Sequence, residues 1–387
     1  MVAREDREQL VEEIGVDTDD LAHPDGTASG AEADIRIRRE GAAGVVTLNR
    51  PRALNALTDA MRSAMAKAFP VWSRDPEVYA VLIDSTSDRA FCAGGDVREM
   101  AEWVRTRKAE MRRALAAEYA LNWMLECFTK PTISLIDGVV MGSGVGISLY
   151  GTHRVAGERY RFAMPETGIG LFPDDGLCWT FAQMPDEIGM YLALTGRPIG
   201  RADAFRLGLV THCIRAASFA DIRAAIRDAD PVDPVLDGLH EDQGPGELGT
   251  LAPAIARCFS ADTVEAVMAR LDAERGAARP WAEQVRGELS RRSPLSLKVT
   301  HRAVRSARDL DLRTTLMQDY RLACRFVEGH DFSEGVRASL IDRDQAPKWQ
   351  PAHLEDVTEA MVDGYFAPLS VDEFVLATRA DMQGFQR

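Results

Sequence analysis

The stretch PTISLIDGVVMGSGVGISLYG, Pro131 to Gly151, changes character halfway along. It begins as a short apolar run rich in β-branched residues, the mark of a buried strand. Glycines then punctuate it, and small residues suited to a tightly packed helix follow. A strand that turns through glycine into a helix is the repeating unit of an α/β protein. The same texture extends outward. GVVTLNR and AVLIDST read as strands. Between them, TDAMRSAMAKAF places Met61, Met65, Ala68 and Phe69 at helical spacing, with Thr58 or Asp59 as N-cap. AEWVRTRKAEMRRALAAEYALNWMLE is predicted as one long amphipathic helix. Strands alternating with helices through right-handed crossovers predict an α/β fold.

At 387 residues and 46% hydrophobic content the chain can bury a large core and has length for two or three domain-sized units. Residues 1–33 are acidic and poor in aromatics and read as an appendage, with one short helix at REQLVEEIG. Residues 34–216 form the α/β core. After the Pro/Gly/Asp-rich break DPVDPVLDGLHEDQGPGELG, residues 217–387 read as mainly helical. A formal net charge of −14 argues against a nucleic-acid or anionic-membrane footprint but not against an anionic small molecule. The 6 cysteines are scattered without a C-x-x-C pair, which disfavours a disulfide framework or a zinc site and suits a reducing cytosol. The opening MVAREDREQL is charged where a signal peptide needs an apolar core, and no apolar run is long enough to cross a bilayer. The expected setting is cytoplasmic.

Two glycine turns can carry chemistry. AFCAGGDVREM leads an apolar run into Gly94, Gly95 and Asp96, and GVVMGSGVGIS opens a helix behind Gly142, Ser143 and Gly144. Glycine tolerates the left-handed backbone and close approach of a ligand, so two such turns that converge could aim N–H groups at a carbonyl oxygen that gains charge during a reaction. Taken alone, each turn reads more readily as a tight turn in a packed α/β domain. No dinucleotide, P-loop or G-x-S-x-G fingerprint is present, and the 7 histidines form no metal-binding pattern. GHDF, with His330 and Asp331, reads as a polar junction between helices. In FAMPETGIGLFPDDG, Glu166, Asp174 and Asp175 sit in an apolar and glycine setting. They are either turn caps and loop acids or carboxylates held in a pocket.

The ordered set GVVTLNRPRALNAL, FCAGGDVREM, KPTISLIDGVVMGSGVGISL and FAMPETGIGLFPD resembles the crotonase (enoyl-CoA hydratase/isomerase) superfamily over residues 34–366. The segments MPETGIGLFPD, CFSADTVEAVMARL, SPLSLKVTHRAV and EGHDFSEGVRASLIDRDQAPKWQP are similar to its 3-hydroxyisobutyryl-CoA hydrolase branch. The resemblance implies a spiral of ββα repeats with a helical C-terminal region. It implies an oxyanion hole from the backbone N–H groups of Gly95 and Ser143, where the branch carries glycine in place of the serine. It also implies catalytic carboxylates at Glu166 and Asp174. Glu118, Gly94 and Gly142 are implied at the substrate, although Glu118 could instead lie on a solvated helix face. Arg50, Arg52, Ala93 and Asp96 are implied at coenzyme A, with Lys298 as a further cation. Hydratases of the superfamily use two glutamates. The first falls here at Gly146, which has no carboxyl, so the resemblance points away from ordinary hydration. After Asp174 the branch continues through a small, glycine-rich turn, whereas this chain has DDGLCWTF.

These implications lead to a CoA-thioester hydrolase acting on 3-hydroxyisobutyryl-CoA or a similar short 3-hydroxyacyl-CoA, as in valine catabolism. An enoyl-CoA hydratase or isomerase using Glu166 alone is the alternative, and a non-catalytic CoA-binding protein the second. The expected partner is an acyl-CoA, with no metal or other cofactor, no nucleic acid and no membrane. A homo-oligomer is compatible with the superfamily.

Overall fold

Every residue of the run Ala43–Leu48 is buried, because its strand has a packed layer on both faces. The computed structural model describes residues 34–369 and 373–385; the helix expected within residues 1–33 lies outside them. Strand β1 (Ile35–Glu40) pairs antiparallel with β2 (Ala43–Leu48). Helix α1 (Asp59–Arg74) follows, and the Thr58 hydroxyl caps it by accepting from the Met61 N–H at 3.3 Å, a contact typically worth about 1 kcal/mol.

Three strand pairs then recur, each leading into helix or a helical turn. β3 (Ala80–Ser85) and β4 (Ala90–Cys92) lead into α2 (Val97–Thr106) and α3 (Lys108–Cys127). β5 (Thr132–Ile136) and β6 (Val139–Met141) lead into α4 (Ser143–Leu149). β7 (His153–Ala156) and β8 (Arg161–Ala163) lead into a 3-10 turn at Glu166–Ile169 and α5 (Leu177–Ala182). Next come α6 (Ile188–Thr195), β9 (Ile199–Gly200), α7 (Arg201–Arg206) and β10 (His212–Cys213). The strands sort into two sheets of order β1-β2-β3-β5-β7-β10 and β4-β6-β8-β9. Each pair therefore gives one strand to each sheet, so the stretch 131–141, expected as one strand, is two strands in different sheets.

The expected long helix over residues 101–126 is also two. Arg107 leaves helical geometry with φ −147°, and its N–H closes α2 onto the Trp103 carbonyl. The apolar periodicity runs through the break, which is why the pattern hid it. In α3, Glu118, Tyr119 and Asn122 are buried.

Strand residues alternate between two cores. Val46, Leu48, Val81 and Ile83 face the main core, and Val45, Ala80, Leu82 and Leu135 face a smaller one. That second core is covered by Phe219, Ile222 and Ile226 of α8 (Phe219–Arg227) and by Val232 and Leu236 of α9 (Val232–Leu239). The break predicted at 230–249 is thus helical over its first part. The remaining elements are α10 (Leu248–Phe259), α11 (Val264–Ala273), α12 (Arg279–Leu289), α13 (Pro294–Ser306), α14 (Leu312–Glu328), α15 (His330–Val336), α16 (Glu359–Phe366) and α17 (Arg379–Phe385). Residues of α10 to α14 share the main core with α1, α3 and α6.

Candidate active site

β4 and β6 are parallel neighbours, so the turns that follow their C-terminal ends emerge side by side. Gly94 (φ 102°) and Gly142 (φ 49°) both adopt the left-handed backbone. A Cβ on Gly142 would lie 3.3 Å from the Gly94 Cα, so the two turns meet backbone to backbone. Leu57 bridges this point through its N–H to the Gly94 carbonyl at 2.8 Å and its carbonyl to the Asp96 N–H at 2.9 Å. The N–H of Gly95 takes no part in that bridge. Ser143 opens α4 beside it, its Oγ 3.1 Å from where a Gly95 Cβ would stand. The structure therefore brings Gly94, Gly95, Gly142 and Ser143 together.

β8 lies parallel to β6 on its other side, and its C-terminal end delivers Glu166 to the same place. Glu166 Oε1 is 3.3 Å from the Cβ position of Gly142, the residue is 7% exposed, and Oε2 has no hydrogen-bond partner. Burial, reinforced by the nearby Asp174, holds its carboxyl well above the usual carboxylate range; the Arg292 charge offsets this only in part.

The loop before α5 presents its two acids to two partners on one face of α3. The Tyr119 hydroxyl donates to Asp174 Oδ2 at 2.7 Å, and the Asn122 amide donates to Asp175 Oδ1. These partners are three residues apart on one helix face. Burial and the Glu118 charge push the Asp174 carboxyl up to about 7, against the Tyr119 hydrogen bond, which lowers it. Asp175 is not a solvated loop acid: it is fully buried, in left-handed backbone at φ 56°. Its carboxyl fills the space beside Gly146, where a Cβ would stand 2.9 Å from Asp175 Cγ and 2.9 Å from Asn122 Oδ1. A side chain at position 146 is excluded unless Asp175 or Asn122 moves.

Glu118 is buried rather than on a solvated face, with Oε2 3.6 Å from Arg62 of α1. Arg62 is itself 4% exposed; burial disfavours its charge, but Glu118 and other acids outweigh that and raise its pKa. Sequence reasoning missed Arg62, although its place among Met61, Met65, Ala66 and Phe69 on the buried side of α1 marks it as a cation in the interior. Tyr119, Asn122 and Asp319 were missed too, because their partners are distant in sequence. Asp319 of α14 accepts the Gly176 N–H at 2.7 Å.

The residues expected at coenzyme A are less free than their charges suggest. Arg50 donates to Asp96 at 2.7 Å, and Asp96 also caps α2 through the N–H groups of Arg98 and Glu99. The Ala93 N–H is bonded to the Leu54 carbonyl at 3.0 Å, while Arg52 is exposed. Lys298 is paired with Glu265 and donates to the Val357 carbonyl. Asp331 joins Ser293 and the Gln350 N–H, a polar junction as expected. Among the described residues no cluster of His, Cys, Asp or Glu could hold a metal ion, and no helix is long and apolar enough to cross a membrane.

Two sheets sharing strand pairs, with glycine turns and a buried glutamate meeting at their strand ends, form a crotonase-type fold. The chain belongs to the enoyl-CoA hydratase/isomerase family, whose model matches residues 43–366. It is 38% identical over 347 residues to the mitochondrial 3-hydroxyisobutyryl-CoA hydrolase of Rattus norvegicus, spanning 87% of this chain and 89% of that protein. The Gallus gallus protein of the same name is 36% identical over 354 residues, spanning 89% and 91%. Among solved structures, a carnitinyl-CoA dehydratase from Mycobacterium thermoresistibile matches with TM-score 0.83 at 38% identity, covering 87% of this chain and 97% of that one. An enoyl-CoA hydratase from Rhodobacter sphaeroides 2.4.1 matches with TM-score 0.82 at 36% identity, covering 87% and 98%.

Proposed function

We propose that this protein hydrolyses the thioester of a short 3-hydroxyacyl-CoA, with 3-hydroxyisobutyryl-CoA as its substrate. One observation carries the reading: Glu166 is a buried carboxyl at the meeting point of the two glycine turns, and the space beside Gly146 is filled by Asp175 and Asn122. One base beside a pair of backbone donors suits attack on a carbonyl. In this reading the thioester oxygen lies between the N–H groups of Gly95 and Ser143, where each donor is worth roughly 2.7–4 kcal/mol to the tetrahedral species. Glu166 takes a proton from water as the new C–O bond forms, or attacks the carbonyl itself and is released by water. In the first route the C–S bond then breaks and the proton held by Glu166 passes to the departing thiolate. In the second the C–S bond breaks as the anhydride forms, the thiolate takes its proton from solvent, and water then opens the anhydride to give the acid and the Glu166 carboxylate. Once ionised, a carboxyl with a raised pKa is the stronger base for this task. Asp174, held by Tyr119, orients the water or the substrate hydroxyl, and Glu118 borders the acyl group. Arg50, Arg52, Ala93 and Asp96 lie along the coenzyme A side, with the exposed Arg52 free to meet a phosphate.

The names of the curated relatives support the hydrolase, while the two solved structures are named as a dehydratase and a hydratase. The assay separates them. Released thiol is followed with 3-hydroxyisobutyryl-CoA, and loss of enoyl absorbance with crotonyl-CoA. Thiol release that E166Q abolishes supports the hydrolase; hydration of crotonyl-CoA without thiol release refutes it. We also read the chain as cytoplasmic, supported by six buried free thiols that suit a reducing compartment, and as part of valine breakdown, supported by the name of the curated relatives. The named relatives are mitochondrial, and cell fractionation decides between the two.

A further inference from the structure

We propose that Asp175 is a positioning residue that works as a neutral carboxylic acid, fixing the loop that carries Asp174 against α3, α4 and α14. The proposal rests on the thioesterase reading only for its kinetic readout.

The geometry is that of an anchor. Asp175 is 0% exposed and keeps a left-handed backbone that costs a non-glycine residue about 1 kcal/mol or more. Its Oδ1 accepts from Asn122 of α3, its carbonyl accepts from the Tyr150 hydroxyl just after α4, and the next N–H, of Gly176, goes to Asp319 of α14. Three elements thus hold two consecutive residues, and the residue before them is the acid bonded to Tyr119. Asp175 Oδ2 has no partner. A charged carboxylate with a bare, buried oxygen is far costlier than a protonated one.

The surrounding charges point the same way. Asp174 precedes it on the loop, Glu118 faces it from α3 and Asp319 from α14. The cation facing it, Arg62 of α1, is already paired with Glu118. The other titratable groups around it are the hydroxyls of Tyr119 and Tyr150 and the Cys92 thiol, all kept protonated by burial. Burial first, then Asp174 and Glu118, hold Asp175 well above the carboxylate range. Asp174 is therefore the loop acid whose titration is reached near pH 7, while the bare, buried Oδ2 of Asp175 favours its protonated form.

The test compares D175N, which preserves shape and neutrality, with D175A, which removes the anchor. Infrared difference spectra of wild type minus D175N at pH 8 should show the C=O stretch of a protonated carboxyl. No substrate is involved, so this result is independent of the proposed activity. With 3-hydroxyisobutyryl-CoA, D175N should keep kcat within about threefold and leave the acid limb of the pH profile in place, whereas D175A should lower kcat by about tenfold or more. An acid limb moved to lower pH in D175N would mean that an ionised Asp175 had been raising Asp174, and would overturn the proposal. Absence of the infrared band, or equal kcat losses in both variants, would overturn it as well. If neither substrate of the assay turns over in wild type, the functional reading fails and the infrared result still decides the charge of Asp175.

Discussion

The Tyr119 hydroxyl donates to Asp174 Oδ2 at 2.7 Å, joining a residue in the middle of α3 to one on the loop before α5. That bond favours the charged form of Asp174. Removing it in Y119F raises the Asp174 pKa further, so the acid limb of kcat/KM with 3-hydroxyisobutyryl-CoA moves to higher pH. A limb that stays in place or moves down shows that Asp174 is not the group titrating there.

Replacing Glu166 removes the proposed base without changing its shape. E166Q should lower kcat by about 10²–10⁴-fold. It also removes a carboxyl with an unpartnered buried oxygen, so the melting temperature should hold or rise. Loss of activity together with a large fall in melting temperature would assign Glu166 to structure instead.

Gly146 gives a steric test. A methyl group there would stand 2.9 Å from the Asp175 and Asn122 side chains, so G146A should destabilise by about 1–3 kcal/mol in urea titrations. G238A is the control, since Gly238 is exposed in α9 with nothing within 4 Å of its Cβ position. There alanine should be neutral or stabilise by up to about 1 kcal/mol. Equal effects at the two positions would refute the packing argument.

Stability should respond to pH through the buried acids. Glu166, Asp175 and Asp319 are raised well above their ordinary values and Asp174 reaches about 7, burial being the largest cause for each. Above about pH 4 the unfolded chain has lost these protons while the native state retains each one until the pH reaches that group's native pKa, so each group's contribution is lost as pH rises through that value. D319N removes one such proton while retaining an acceptor for the Gly176 N–H. Its melting temperature relative to wild type should become more favourable from pH 5 to pH 9. A constant difference would show that Asp319 is ionised in the native state.

The buried pair Arg62–Glu118 adds a coupled test. E118A leaves a guanidinium stranded inside the protein and should cost about 3–5 kcal/mol, whereas replacing both residues with methionine should restore most of it. Additive losses would show that the two charges do not stabilise each other.

Much of this site was legible in the sequence. Gly94, Gly142 and Glu166 follow β4, β6 and β8, whose parallel pairing sets their meeting; the sequence led to them through the family motifs, since residues 131–141 read as one strand. What stayed hidden depends on contacts between distant segments. Glu118 is buried beside Arg62 of α1, a contact that helical periodicity in its own segment does not show. Asp175 looks like half of a solvated pair until Asn122 and Gly146 are seen to hold it. Arg62 was readable in principle, since it interrupts an otherwise apolar helix face.

The hydrogen bond from the Gly176 N–H to Asp319 spans 143 residues. The loop bearing both acids is thus fastened by a helix that comes late in the chain. A ribosome-bound chain that has made every strand but not yet α14 would hold Glu166 and the glycine turns without that fastening. Turnover is therefore a reporter for completion of the fold near its C-terminal end, and chains truncated before residue 319 should be inactive even where their sheets form.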